Sequence, residues 1–193
     1  MSESWPDVPL PERYPDVRAA ARRHAEEHGC GTAAPQPAHA QAVAVLARLS
    51  RASHVLLFGT DPAYTPLHIA AALGLTGRID LVEPDEHHAA LAERVFVDHG
   101  FGDKLKVIGG RVADAVPYLN GPYDLVVAGR AVRFDDTLRA AVHRLLRVGG
   151  ALLLELDGEP DAAHAARFVA ELADDERWML GLFGRLAAAV KLR

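Results

Sequence analysis

Residues 54–58 read His-Val-Leu-Leu-Phe, an apolar run without alternation, and Gly59 closes it. A strand buried on both faces has this pattern, because neither side of its pleat meets water. Similar runs return at residues 78–83, 105–108, 123–128 and 151–156, the last introduced by Gly149-Gly150. Between them the spacing turns helical. Residues 66–73 and 85–99 read as helices, the second with Leu91 and Val95 on one face, and a short helix ends near Leu119. Leu138, Ala141, Val142 and Leu145 mark a further helix, as do Ala165, Phe168, Val169 and Leu172. Upstream, Val17, Ala20, Ala21 and His24 recur at helical spacing from Asp16, with Gly29 as the stop. Residues 38–48 are apolar almost all round, which predicts a helix buried on several sides. The last two apolar segments, 178–183 and 186–190, are separated by Gly184-Arg185 and read as a tight antiparallel hairpin.

Strands alternating with helices predict an α/β fold: a mostly parallel sheet with helices on both faces and ligands above the carboxyl ends of its strands. Pro6, Pro9, Pro11 and Pro15 hold the opening segment extended, so residues 1–15 form an arm and 16–193 a single domain. A chain of 193 residues, half apolar and 24% charged, buries one sizeable core and is not a disordered segment. No apolar run is long enough to span a bilayer, so no membrane is expected. The net charge of −5 and the lack of a basic run exclude nucleic acid as the expected partner. A single cysteine, Cys30, fits a reducing cytoplasm.

Candidate chemistry begins at the first turn, Gly59-Thr60-Asp61-Pro62-Ala63-Tyr64. It keeps only the first glycine of a dinucleotide fingerprint, and Asp61 with Pro62 can start a helix without any ligand. The Asp61 carboxylate also opposes a phosphate, which disfavours a pyrophosphate cofactor. Glu83 ends the second strand, where an acid accepts hydrogen bonds from ribose hydroxyls; the plainer reading is a solvated acid at a strand end.

Over residues 16–192 the chain resembles the small S-adenosylmethionine-dependent O-methyltransferases of the catechol and caffeoyl-CoA type. The resemblance rests on Val55-Leu56-Leu57-Phe58-Gly59-Thr60 with Tyr64-Thr65, on Gly77-Arg78-Ile79 through Val82-Glu83-Pro84-Asp85, and on Gly121-Pro122-Tyr123-Asp124. Leu145-Leu146-Arg147-Val148-Gly149-Gly150 and the segments 168–177 and 188–192 continue it. It implies a Rossmann-like class I methyltransferase fold, with a seven-stranded sheet whose last strand is antiparallel, and commonly a homodimer. It also implies S-adenosylmethionine as cofactor, bound by Gly59, Thr60, Asp61, Tyr64, Thr65, Glu83, Gly110 and Arg111. Asp61 would meet the cofactor's amino group while opposing its carboxylate. Gly110-Arg111 stands where many members carry Gly-Asp near the adenine, and Arg111 either stacks on the base or faces solvent.

The departures concern catalysis. Family members hold a divalent cation with an aspartate after the fourth strand and an Asp-Asn pair after the fifth; the matching positions are Gly129, Glu155 and Leu156. A family lysine aligns with Val132. Magnesium needs more oxygen ligands than one carboxylate supplies, so no divalent metal is expected. The remaining candidates are Arg130 as a fixed positive charge for an oxyanion and Glu155 or His39 as proton acceptor, acting on a small-molecule acceptor. A catalytically inactive binding or scaffold protein is the alternative, and an NAD-dependent oxidoreductase is disfavoured by the glycine-poor loop and the closing hairpin.

Ten histidines add one more motif: His24-Ala25-Glu26-Glu27-His28 spells the H-x-x-E-H of some zinc hydrolases. A catalytic zinc there needs a third ligand from a distant helix, and packing at a helix or subunit contact is the simpler expectation. His87-His88 is expected to face solvent.

Overall fold

In a computed structural model, which describes residues 11–29, 35–59, 61, 63–129, 132–156 and 162–193, the run at 54–58 is strand β1 (His54–Phe58), buried along nearly its whole length. Its odd residues Val55 and Leu57 enter one hydrophobic cluster and its even residues Leu56 and Phe58 another. Helices cover both clusters, which is why the run shows no polar alternation. In chain order the elements are α1 (Pro15–His28), α2 (Pro37–Leu49), β1, α3 (Tyr64–Ala72), β2 (Arg78–Glu83), α4 (Glu86–Asp98) and β3 (Leu105–Gly109). Then follow α5 (Val112–Ala115), β4 (Tyr123–Ala128), α6 (Asp136–Leu145), β5 (Leu146–Glu155), α7 (Ala162–Asp174), β6 (Trp178–Phe183) and β7 (Leu186–Lys191).

The strands form one seven-stranded sheet in the order β3-β2-β1-β4-β5-β7-β6. β1 to β5 pair in parallel, and β7 runs antiparallel to both β5 and β6. Strand order reverses direction between β1 and β4, so the carboxyl ends of these two strands flank the crevice where such sheets bind ligands. Helices α1 to α4 supply Val17, Val43, Leu67 and Phe96 to the core on one face. Helices α6 and α7 supply Leu138, Val142, Phe168 and Leu172 to the other.

Three expectations are corrected. β5 starts at Leu146 rather than after Gly149-Gly150, because Leu146 already pairs with Tyr123 before the register shifts. α2 buries only the stripe Ala40, Val43 and Ala47, and its Val45 and Leu49 stay exposed, so its apolar circumference is not enclosed on several sides. His88 is buried while His87 is exposed. Of the arm, residues 1–10 lie outside the described residues, as do Cys30, Thr60, Pro62 and Arg130. The described end of the arm rests on the body: the Pro11 carbonyl accepts from Gln41 Nε2 at 2.8 Å, and the Tyr14 ring stands edge-on to His68 at 5.2 Å.

At the opposite end of the sheet from the crevice, Asp124 ties three strands together. Its Oδ2 accepts from the Ser53 amide and hydroxyl, both at 2.8 Å, and from the His54 amide at 2.9 Å, while Oδ1 accepts from Arg147 Nε at 2.6 Å. Burial pushes the carboxyl up, but the bonds from Arg147, Ser53 and His54 outweigh it and hold Asp124 well below the usual carboxylate range. Stability from this group is therefore present above that range and fades as acid titrates it. Asp124→Ala is expected to lower unfolding free energy by about 2–3 kcal/mol at pH 7, read from the urea midpoint, with the deficit shrinking below about pH 4.

Candidate functional site

The crevice is built from backbone that only small residues permit. Gly59 follows β1 with φ 52°, and its amide donates to the Val82 carbonyl at 3.4 Å. Gly110 follows β3 with φ 122°, its amide donating to the Glu83 carbonyl at 3.2 Å, and no atom stands within 4 Å of where a Cβ would project. Such a conformation is strained for any side chain. Beside them opens a cavity of about 390 Å³ lined by Gly59, Val82, Pro84, Arg111, Val112 and Leu138. That size falls in the ~300–1,000 Å³ span of small-molecule sites. Arg133 and Asp135 also line it, two residues that sequence reasoning missed; they carry no motif, and only the pairing of β1 with β4 brings their loop across the crevice.

Glu83 closes β2 with only 5% of its surface exposed. Its Oε1 accepts from the Asp85 amide at 3.0 Å and faces His88 Nδ1 at 3.5 Å. Burial raises its carboxyl, and the Asp85 amide and His88 partly offset that rise. The acid is thus held at the strand end rather than solvated there. Arg111 sits at the cavity wall with its guanidinium forked onto Asp114, at 2.8 and 3.2 Å.

Asp61 caps α3 from two positions before the N-cap residue Ala63, rather than as the N-cap itself. Its Oδ1 accepts from the Tyr64 amide at 2.6 Å and the Thr65 amide at 3.1 Å, and its Oδ2 accepts from the Thr65 amide at 3.0 Å. The side chain therefore satisfies the first donors of α3, whose positive end would otherwise receive an anion. Tyr64 and Thr65 are fully buried, and burial together with the Glu12 carboxylate pushes the Tyr64 phenol up to about 12.

A second acid waits at the end of β5. Glu155 is 1% exposed, and its Oε1 stands 3.2 Å from Nε2 of His39, which comes from the first turns of α2. Sequence reasoning named both residues as proton acceptors; the structure brings the buried carboxylate and the partly buried imidazole within 3.2 Å, without hydrogen-bond geometry between the two atoms. Asp61, just past the end of β1, and Glu155, at the end of β5, both stand at the carboxyl end of the sheet, and the Glu155 charge contributes to the raised Asp61 carboxyl.

No protein-family model matches the chain. A protein of Mycobacterium sp. (strain KMS) named "Putative O-methyltransferase" is 30% identical over 177 residues, covering 83% of this chain and 78% of that protein. A Niastella koreensis protein named catechol O-methyltransferase is 29% identical over 115 residues, 58% of this chain and 52% of that protein. Among solved structures, the O-methyltransferase TomG from Streptomyces achromogenes, in complex with S-adenosylmethionine, superposes with a TM-score of 0.80 over 95% of this chain and 93% of its own, at 21% identity.

The Asp61 cap has a measurable cost. Burial first, then the Glu155 charge, raises its carboxyl from 3.8 to about 6 against the pull of the Thr65 and Tyr64 bonds. A raised carboxyl binds its proton more tightly when folded, so stability is greatest below the unfolded value and falls as pH rises through the folded one. Asp61→Asn keeps one acceptor oxygen and removes the charge. Its stability relative to the native chain is expected to improve by up to about 3 kcal/mol between pH 4 and pH 7, read from urea midpoints at both pH values; an unchanged difference would contradict this.

Proposed function

The chain belongs to the O-methyltransferase family, and from that premise we propose that it moves the methyl group of S-adenosylmethionine to a hydroxyl of a small-molecule acceptor, with the His39–Glu155 pair in place of a divalent cation. The single observation that carries the metal-free reading is the 3.2 Å approach of these two groups. Where the family resemblance places a metal-binding aspartate, the carboxylate is instead faced by an imidazole.

The cavity is of a size to take the nucleoside half of the cofactor, and Gly59, Arg111 and Val112 line it. Glu83, at the end of β2 next to the lining residues Val82 and Pro84, would accept from ribose hydroxyls, and Gly110 leaves open space for close backbone approach. Asp61 already occupies the amides of Tyr64 and Thr65, so a methionine amino group placed there would face an acid and a methionine carboxylate would find those donors taken. When bound, the cofactor supplies a sulfonium-activated methyl electrophile. The chain's own part is to exclude water, hold the acceptor hydroxyl in line, and take its proton. With Nε2 turned to Glu155, a proton gained at Nδ1 leaves an imidazolium stabilised by the adjacent carboxylate. Arg130 stays a candidate for the developing oxyanion. The occupied seat at Asp61 also favours a second reading, a methyltransferase fold that binds a nucleoside weakly and serves as a binding or scaffold protein.

Calorimetric titration with S-adenosylhomocysteine, followed by radiolabelled methyl transfer to catechols and phenols in EDTA, separates the two. Binding that Glu83→Ala weakens, with transfer that persists in EDTA, is the expected result. His39→Ala and Glu155→Gln should each lower kcat by about 10²- to 10⁴-fold while homocysteine-product affinity stays within about threefold. Transfer that requires magnesium contradicts the metal-free reading, and no titratable binding contradicts the enzyme. Exposed Val45 and Leu49 on α2 support the expected homodimer, and light scattering on the eluting protein reads it directly.

A further inference from the structure

Helices α1 and α4 bring together four histidines that methyl transfer does not use. The ring centroids of His24 and His28 are 4.4 Å apart, those of His24 and His88 4.9 Å, and those of His28 and His87 5.2 Å. Two imidazoles sharing one tetrahedral zinc at ~2.1 Å stand with their centroids ~5 Å apart. The H-x-x-E-H spelling on α1 thus acquires, from α4, the partners that its own helix lacks.

Two further observations point to a ligand. His24 Nε2 is buried and has no hydrogen-bond partner among the described residues. His87 turns Nδ1 to Asp85 Oδ1 at 3.4 Å. A carboxylate on one ring nitrogen fixes the tautomer and presents the other nitrogen, the arrangement seen behind metal-bound histidines.

We propose that His24, His28 and His87 form an imidazole site for a borderline divalent transition ion of the zinc class, linking α1 to α4. Imidazole-rich sites favour zinc, copper and nickel over magnesium. Among the described residues no three such groups already surround one point. His28 and His87 are exposed, so rotation of their side chains closes the site. The role is structural: the ion would fasten α1 beside the strand end that carries Glu83. It involves no hydrolysis.

The metal-stripped full chain is titrated with zinc chloride against a chromophoric chelator. One saturable equivalent is expected, weakened about 10- to 100-fold in His28→Asn/His87→Asn, whose altered side chains both lie at the surface. Copper(II) on the unaltered chain should show electron paramagnetic resonance splitting from several nitrogens. Absence of saturable zinc binding, equal binding by the double variant, or a copper spectrum without nitrogen splitting would each overturn the site. None of these readouts involves the methyl donor, so their outcome is independent of the activity proposed above.

Discussion

A carboxylate buried to 1% exposure at the end of a core strand cannot stand alone, and the packing around Glu155 follows from that constraint. Its partner comes from α2, a helix that buries Ala40, Val43 and Ala47 and packs chiefly against α3. The contact with His39 brings the start of α2 to the end of β5. Losing the imidazole removes an ionisable neighbour of this buried acid, a cost borne at the end of β5 rather than in the cavity that Gly59, Arg111 and Val112 line.

Asp61 extends the same electrostatics. In a dinucleotide-binding turn the start of the following helix is kept open for an anion. Here the chain brings its own anion, so the helix end is satisfied while the site gains negative charge. With Glu83, Asp61 and Glu155 all at least 95% buried around the crevice, the site suits a positively charged sulfonium cofactor better than a phosphate-bearing one. That preference arises from three separate strand ends or turns and needs no cation to hold it together.

Most of the fold was legible from local pattern. β2 and β4 span the segments read as strands, because a strand covered on both faces has no competing signal. The Gly184-Arg185 turn likewise placed the antiparallel hairpin. What misled was composition without geometry. The glycines before Ala151 read as a boundary, yet cross-strand pairing carries β5 through them. α2 looked enclosed because alanine is apolar everywhere and says nothing about which face is covered. For the site, position in the β-α units placed Asp61 ahead of α3 and Glu83 at the end of β2, but the two-residue offset of Asp61 from the N-cap Ala63 and the burial of Glu83 against Asp85 and His88 had no local signal. The joining of His39 to Glu155, and of His24 to His88, depends on residues 116 and 64 positions apart in the chain, so no local motif could announce either pair.

The most direct test is a crystal structure of the protein with S-adenosylhomocysteine, grown in the presence of magnesium. The account predicts ribose hydroxyls on Glu83, an intact contact between His39 and Glu155, and no cation at the end of β5. A magnesium ion coordinated by Glu155, with His39 turned away, would contradict it.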